Sequence, residues 1–74
     1  MEEVLIGAIC HILGVHPSEI KPETSFVDDL GADSLDLYQI IMEVEEELGI
    51  EIDAESVAKV STYAEALEML LENE

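Results

Sequence analysis

The chain has 74 residues, enough for one domain spanning 1–74 that buries only about 60% of the unfolded surface. Nineteen acidic residues against two lysines give a net charge of −17, which excludes nucleic-acid binding through a basic patch and disfavours anionic membranes. The apolar content of 49% excludes a disordered acidic tail, so we expect a folded chain. We expect it to be a monomer, and its acidic charge predicts partners that present basic surfaces.

Cysteine usage and the N-terminus indicate a compartment. Cys10 is the only cysteine, which excludes an intrachain disulfide framework and fits a reducing cytoplasm. The chain starts Met1-Glu2-Glu3 and its longest apolar runs are a few residues. We therefore predict a cytoplasmic protein with no signal peptide and no membrane span.

Residues 2–13 are predicted to form the first helix, which Gly14 ends. Its apolar residues recur at helical spacing: Leu5, Ala8, Ile9, Ile12 and Leu13.

A long loop follows over residues 14–33 and contains both prolines, with one helical turn near Pro17 to Ile20. Loops of this length inside a small domain are unusual and often functional. Phe26 and Leu30 are the residues we expect to pin this loop to the core.

The second helix is predicted over residues 34–48. An inward-facing stripe is formed by Leu37, Ile40, Ile41, Val44 and Leu48. Asp33 can cap the first amides, Asp36 adds favourable charge in the first turn, and Gly49 ends the helix.

The C-terminal third is predicted to hold a connector and two more helices. Residues 50–52 form an extended connector with Ile52 buried, and a short helix near 54–59 follows Asp53, burying Val57 and Val60. Thr62 and Glu65 have capping-box spacing and open a last helix that ends near residue 72. Its inward face comprises Tyr63, Ala66, Leu67 and Leu70.

The predicted fold is all-α: a small bundle of three principal helices plus one short helix, with a long loop between helices one and two.

Ser34 is the most informative residue, because the turn Asp-Asp-Leu-Gly-Ala-Asp-Ser-Leu-Asp at residues 28–36 delivers its hydroxyl to a helix start. A nucleophilic serine needs a base and an orienting group. His11 and His16 lie in or just after the first helix, and the G-x-S-x-G motif is absent. Ser34 is therefore a place to attach a group rather than a catalytic nucleophile. From these residues alone, an ordinary capping or solvated serine remains an equal alternative.

The aspartates around Ser34 suggest calcium, but their spacing does not fit. An EF-hand loop needs acidic ligands at alternating positions, glycine at the sixth and glutamate at the twelfth. Counting from Asp28, the third residue is Leu30; counting from Asp29, the sixth is Ser34. We predict no dedicated metal site, and we expect Gly31 to be a turn glycine with positive φ.

The outer face of the second helix carries a line of apolar residues, Leu35, Tyr38 and Met42, at 3-4 spacing. It is rimmed by acidic residues: Asp33, Asp36, Glu45 and Glu46. Isolated exposed apolar residues usually mean nothing. A line of them ringed by one sign of charge favours a docking surface for a partner with a basic rim and an apolar groove.

The segment from Phe26 to Asp36, Phe-Val-Asp-Asp-Leu-Gly-Ala-Asp-Ser-Leu-Asp, resembles the attachment region of acyl carrier proteins of bacterial type II fatty acid synthesis. The resemblance extends over nearly the whole chain. Leu13-Gly14-Val15 is similar to the end of that family's first helix, Met42 to Leu48 to its acidic second helix, and Lys59 to Thr62 to the join between its third and fourth helices.

The resemblance implies that Ser34 carries 4′-phosphopantetheine through a phosphodiester, transferred from coenzyme A by a separate magnesium-dependent phosphopantetheinyl transferase. The prosthetic thiol would hold acyl groups as thioesters. The carrier would have no catalytic activity and would shuttle its cargo among fatty acid synthesis enzymes with basic docking surfaces. By the same resemblance, the partner contacts would be Asp33, Leu35, Asp36, Tyr38, Met42, Glu45 and Glu46, and the bundle interior would open to sheath the acyl chain.

Some positions depart from the family. Gln39 stands where a glutamate is frequent, Tyr38 is bulkier than the usual aliphatic residue, and Leu37 replaces a small polar one. Helix one is unusually apolar on its outer side, at Val4, Ile6, Gly7 and Cys10. An extra partner, self-association or a specialised pathway would explain that surface, and so would a tilted helix that buries more of itself.

Three other functions are alternatives to an acyl carrier of fatty acid synthesis. One is the same module serving a polyketide, aminoacyl or other specialised pathway. The second is an acidic helical interaction protein that is never modified. The third is a hydrolase using Ser34, which the missing base argues against.

Overall fold

The computed structural model describes residues 1–73, and within them four α-helices and one 3₁₀ turn account for the regular structure. The elements are α1 (Glu2–Leu13), the 3₁₀ turn (Pro17–Glu19), α2 (Ser34–Leu48), α3 (Ala54–Ala58) and α4 (Tyr63–Glu72). The predicted all-α bundle of three longer helices and one short helix is confirmed. No helix among residues 1–73 is long and apolar enough to cross a membrane.

Helix α1 packs chiefly along α2. Its buried face is Leu5, Ala8 and Ile9, whereas Ile12 and Leu13 are half-buried against the core. Gly14 ends the helix as predicted: its φ of 67° is left-handed, and its N–H donates to the carbonyl of Cys10. Val4, Ile6 and Cys10 are half-buried, so partial burial accounts for most of the apolar surface predicted on α1, whereas Gly7 is exposed.

Helix α2 is defined at both ends by its sequence. Asp33 Oδ1 accepts the N–H of Asp36 at 2.9 Å, and Asp36 Oδ2 accepts the N–H of Asp33 at 3.3 Å, which completes a reciprocal capping box. Gly49, with φ 67°, ends the helix. The buried stripe is Leu37, Ile40, Ile41 and Val44, and Leu48 is only half-buried.

The long loop is attached to the start of α4 by backbone hydrogen bonds. Ser25 and Thr62 form an isolated antiparallel bridge. The N–H of Phe26 donates to the carbonyl of Ser61 at 2.9 Å, and the N–H of Tyr63 donates to the carbonyl of Thr24, also at 2.9 Å. The Phe26 side chain is 1% exposed, so its predicted role as an anchor is confirmed, while Leu30 is half-buried.

Two details of the connector and α3 differ from the prediction. Ile52 is half-buried against the core rather than buried, and its backbone N–H also donates to Glu45. Helix α3 ends at Ala58, one residue early, and Val60 is half-buried; Val57 is its only buried side chain.

Helix α4 begins with the predicted capping box. Thr62 Oγ1 accepts the N–H of Glu65 at 3.3 Å, and Glu65 Oε1 accepts the N–H of Thr62 at 2.9 Å. The buried face is Tyr63, Ala66, Met69 and Leu70, whereas Leu67, predicted to face inward, is half-buried.

Candidate functional site

Ser34 is the first residue of α2 and is exposed. The turn before it is held from both sides. Gly31 has a φ of 68°, as predicted, and the buried Ala32 donates its N–H to the carbonyl of Phe26 at 2.8 Å. Asp33 then caps α2. These contacts fix the backbone at the start of α2 and leave Ser34 exposed.

Ser34 borders a groove of about 300 Å³ that lies between the long loop, α2 and α3. Its apolar lining is Phe26, Val27, Leu37, Tyr38, Val57 and Val60. The polar rim comprises Asp33, Ser34 itself and Ser61. An exposed hydroxyl therefore stands at the edge of an apolar groove that can accept part of an attached group.

Neither histidine serves Ser34 as a base. His11 Nδ1 lies 2.7 Å from Glu43 Oε1, and Glu43 is nine residues after Ser34, about 13 Å further along α2. His16 is the N-cap of the 3₁₀ turn, with its Nδ1 3.0 Å from Ser18 Oγ. The imidazoles are engaged in local structure, which agrees with a serine that is modified rather than catalytic.

The apolar line on the outer face of α2 is exposed at two of its three positions. Leu35 is 65% and Met42 62% exposed. Tyr38, predicted to lie outside the core, is half-buried: its ring packs against the core, and its hydroxyl donates to the carbonyl of Ala54 at 3.4 Å. A tyrosine can do both because its ring is apolar and only its tip is polar.

The acidic rim also divides into two groups. Asp33 and Glu46 are exposed, whereas Asp36 and Glu45 are half-buried. Asp36 belongs to the capping box, and Glu45 Oε2 accepts the N–H of Ile52 at 2.7 Å. The contact of Glu45 with the connector was missed from the sequence, because nothing in the local pattern pairs residues on either side of the Gly49 turn.

Sequence reasoning also missed Val27, which is 63% exposed and lines the groove beside Ser34. The available signal was a second apolar residue directly after the core anchor Phe26, in the loop that leads to Ser34.

Glu65 orders the groove wall opposite Ser34. Its carboxylate accepts the backbone N–H groups of Ser61 and Thr62, each at 2.9 Å. These hydrogen bonds favour the charged form and lower the pKa of Glu65 below its ordinary value.

A family model described as the phosphopantetheine attachment site matches residues 3–70. The chain belongs to this family. An acyl carrier protein of Nitratidesulfovibrio vulgaris (strain Miyazaki F) is 51% identical over 67 residues, covering 90% of this chain and 88% of the relative. An acyl carrier protein from strain DP4 of the same species is 48% identical over 68 residues, covering 92% of this chain and 90% of the relative. A solved Mycobacterium tuberculosis protein, described provisionally as an acyl carrier protein, superposes with a TM-score of 0.87 at 32% identity, covering 96% of this chain and 95% of its own.

These similarities confirm the resemblance to acyl carrier proteins and the prediction of 4′-phosphopantetheine as the prosthetic group. The protein is a carrier of acyl groups, not an enzyme, and acyl chains and the enzymes of their synthesis are its partners. The surroundings of Ser34 suit the group. The hydroxyl is exposed, and the adjacent groove is apolar.

Proposed function

We propose that Ser34 is the residue to which 4′-phosphopantetheine is attached, through a phosphodiester. The observation that supports this most directly is the exposed hydroxyl at the first residue of α2, on the edge of the apolar groove. A transferase must reach this oxygen, and the capped helix start holds the Ser34 backbone in place while the residue stays exposed.

When attached, the group supplies a terminal thiol that holds acyl chains as thioesters. The chain's own residues have simpler roles. Ser34 contributes its oxygen to the linkage at the first residue of α2. Phe26, Leu37 and Val57 offer an apolar surface to the cargo, which excludes water from it.

We propose further that partner enzymes dock on the outer face of α2, at Asp33, Leu35, Asp36, Tyr38, Met42, Glu45 and Glu46. The support is the exposure of Leu35 and Met42 beside exposed carboxylates, in a chain of net charge −17. Such a charge accelerates encounters with basic surfaces. Since Asp36 and Glu45 are bound within the fold, Asp33 and Glu46 are the more available charges for a partner.

Fatty acid synthesis is the pathway we propose, with the chain acting as a monomeric single domain in the cytoplasm. The phosphopantetheinyl transferase and fatty acid synthesis enzymes with basic docking surfaces are then its specific partners. The test is extension of a malonyl-loaded carrier by purified fatty acid synthesis enzymes. Loading without extension would favour a polyketide or other specialised pathway.

Attachment is tested by incubation with coenzyme A, magnesium and a broad-specificity phosphopantetheinyl transferase, followed by intact-mass measurement. We expect one phosphopantetheine on the wild type and none on Ser34→Ala. Ser61→Ala is the matched control, since its exposed serine lines the same groove, and it should be modified normally. Unmodified wild type, or modified Ser34→Ala, would refute the assignment.

Docking is tested by comparing Glu46→Lys with Glu3→Lys. Both residues are exposed and both substitutions change the charge equally, but Glu3 lies on α1, outside the proposed face. We expect Glu46→Lys to slow modification of Ser34 more strongly, and more at low salt than at high salt. Equal rates for the two variants would place the interface elsewhere.

A further inference from the structure

Helix α3 is the shortest α-helix among residues 1–73. It has five residues, and Val57 is its only buried side chain. The connector before it is attached to α2 by the hydrogen bond from the Ile52 N–H to Glu45. A helix held by so few contacts opens at a lower free energy than the rest of the bundle.

Tyr38 joins α2 to this helix on the side where Ser34 lies. Its ring lines the groove together with Val57 of α3, and its hydroxyl donates to the carbonyl of Ala54, the first residue of α3. Tyr38 is one turn after Ser34 on the same helix, so it stands next to the point where an attached group would enter. An aliphatic residue at position 38 could line the groove but could not make this hydrogen bond.

We propose that Tyr38 is a specificity-determining residue: its hydroxyl ties α3 to α2 and thereby limits the insertion of long acyl chains into the groove. The proposal rests on attachment at Ser34. A short acyl group needs no change in the bundle. A longer chain gains favourable transfer free energy for each methylene it buries, but α3 must move away from α2 to admit it, which breaks the bond from Tyr38 to Ala54.

The size of the effect follows from the bond that is lost. A neutral hydrogen bond at 3.4 Å in a half-exposed position is at the weak end of the usual range. Removing it should raise the equilibrium constant for opening about two- to fivefold. The side chain at position 38 therefore shifts the equilibrium between a long acyl chain inserted in the groove and the same chain exposed to solvent. Short acyl groups are unaffected.

The test compares Tyr38→Phe with the wild type, each loaded with acetyl- or octanoyl-phosphopantetheine, by the rate at which hydroxylamine cleaves the thioester. We expect octanoyl cleavage to be about two- to fivefold slower in Tyr38→Phe and acetyl cleavage to be unchanged. Tyr63→Phe is the matched control. Its hydroxyl is buried beside Glu2 and does not line the groove, so both of its rates should equal those of the wild type. Equal octanoyl rates in Tyr38→Phe and wild type would overturn the proposal.

A second measurement needs no loading and separates this proposal from the attachment itself. Amide hydrogen exchange of Ser56 and Val57, whose N–H groups donate to Asp53, should be faster in unloaded Tyr38→Phe than in the wild type or Tyr63→Phe. Intact mass establishes attachment at Ser34 beforehand. If attachment succeeds and the exchange rates are equal, only the role of Tyr38 is wrong; if attachment fails, the proposal for Ser34 is wrong and the role in cargo insertion fails with it.

Discussion

Truncation of Phe26 should destabilise this protein more than its position in a loop suggests. The Phe26 side chain is 1% exposed, and its backbone bonds both Ser61 and Ala32. Replacing a buried phenylalanine by alanine costs about 3–5 kcal/mol. A chain of 74 residues has a free energy of unfolding of about 4–11 kcal/mol, so Phe26→Ala should remove a large share of it.

The measurement is urea unfolding of Phe26→Ala and Val27→Ala, followed by far-ultraviolet circular dichroism, with thermal melts in parallel. Val27 is the adjacent residue, is 63% exposed, and should change stability by no more than about 0.5 kcal/mol when truncated. The melting temperature of Phe26→Ala should fall by at least about 12 °C. A loss below about 1 kcal/mol, or equal losses in both variants, would show that Phe26 does not hold the loop to the core.

Three further predictions concern charge and capping. Because the net charge is −17, sodium chloride raised from near zero to about 0.15 M should increase the melting temperature. An unchanged melting temperature would show that repulsion between the acidic residues does not destabilise the folded state. Asp33→Ala should lower the free energy of unfolding by about 0.5–2 kcal/mol and Asp33→Asn by less, measured by urea unfolding; equal losses would mean that the cap is not the cause. Folding lowers the pKa of Glu65. The contribution of its carboxylate to the stability of the folded state is therefore complete above the ordinary pKa of 4.5 and is lost as the pH falls through the lower pKa of the folded state. The difference in urea midpoint between wild type and Glu65→Gln should therefore close in acid, and a difference that stays constant with pH would contradict this.

The sequence predicts the helices well because their ends depend on local chemistry. Gly14 and Gly49 adopt left-handed φ values that favour glycine, and Asp33 and Thr62 cap the helices that follow them. The position of Ser34 at the start of α2 follows from the same local rules.

Contacts between elements could not be predicted in this way. The bonds from Tyr38 to Ala54 and from Glu45 to Ile52 join α2 to residues beyond the Gly49 turn. Helical periodicity indicates which face of a helix is apolar, but not where the next element lies against it. For the same reason, Tyr38 and Glu45 were predicted only as surface residues, although each also holds the fold together.

The hydrogen bonds between the long loop and the start of α4 have a consequence for the order of folding. The loop residues Thr24 and Phe26 obtain their backbone partners from Tyr63 and Ser61, near the end of the chain. During synthesis from the N-terminus, α1, α2 and the capped turn before Ser34 can form early from local contacts, whereas the attachment of the loop at Thr24 and Phe26 must wait until Ser61 and Tyr63 have emerged. Premature termination before residue 61 would therefore leave Ser34 next to a loop that lacks these backbone partners.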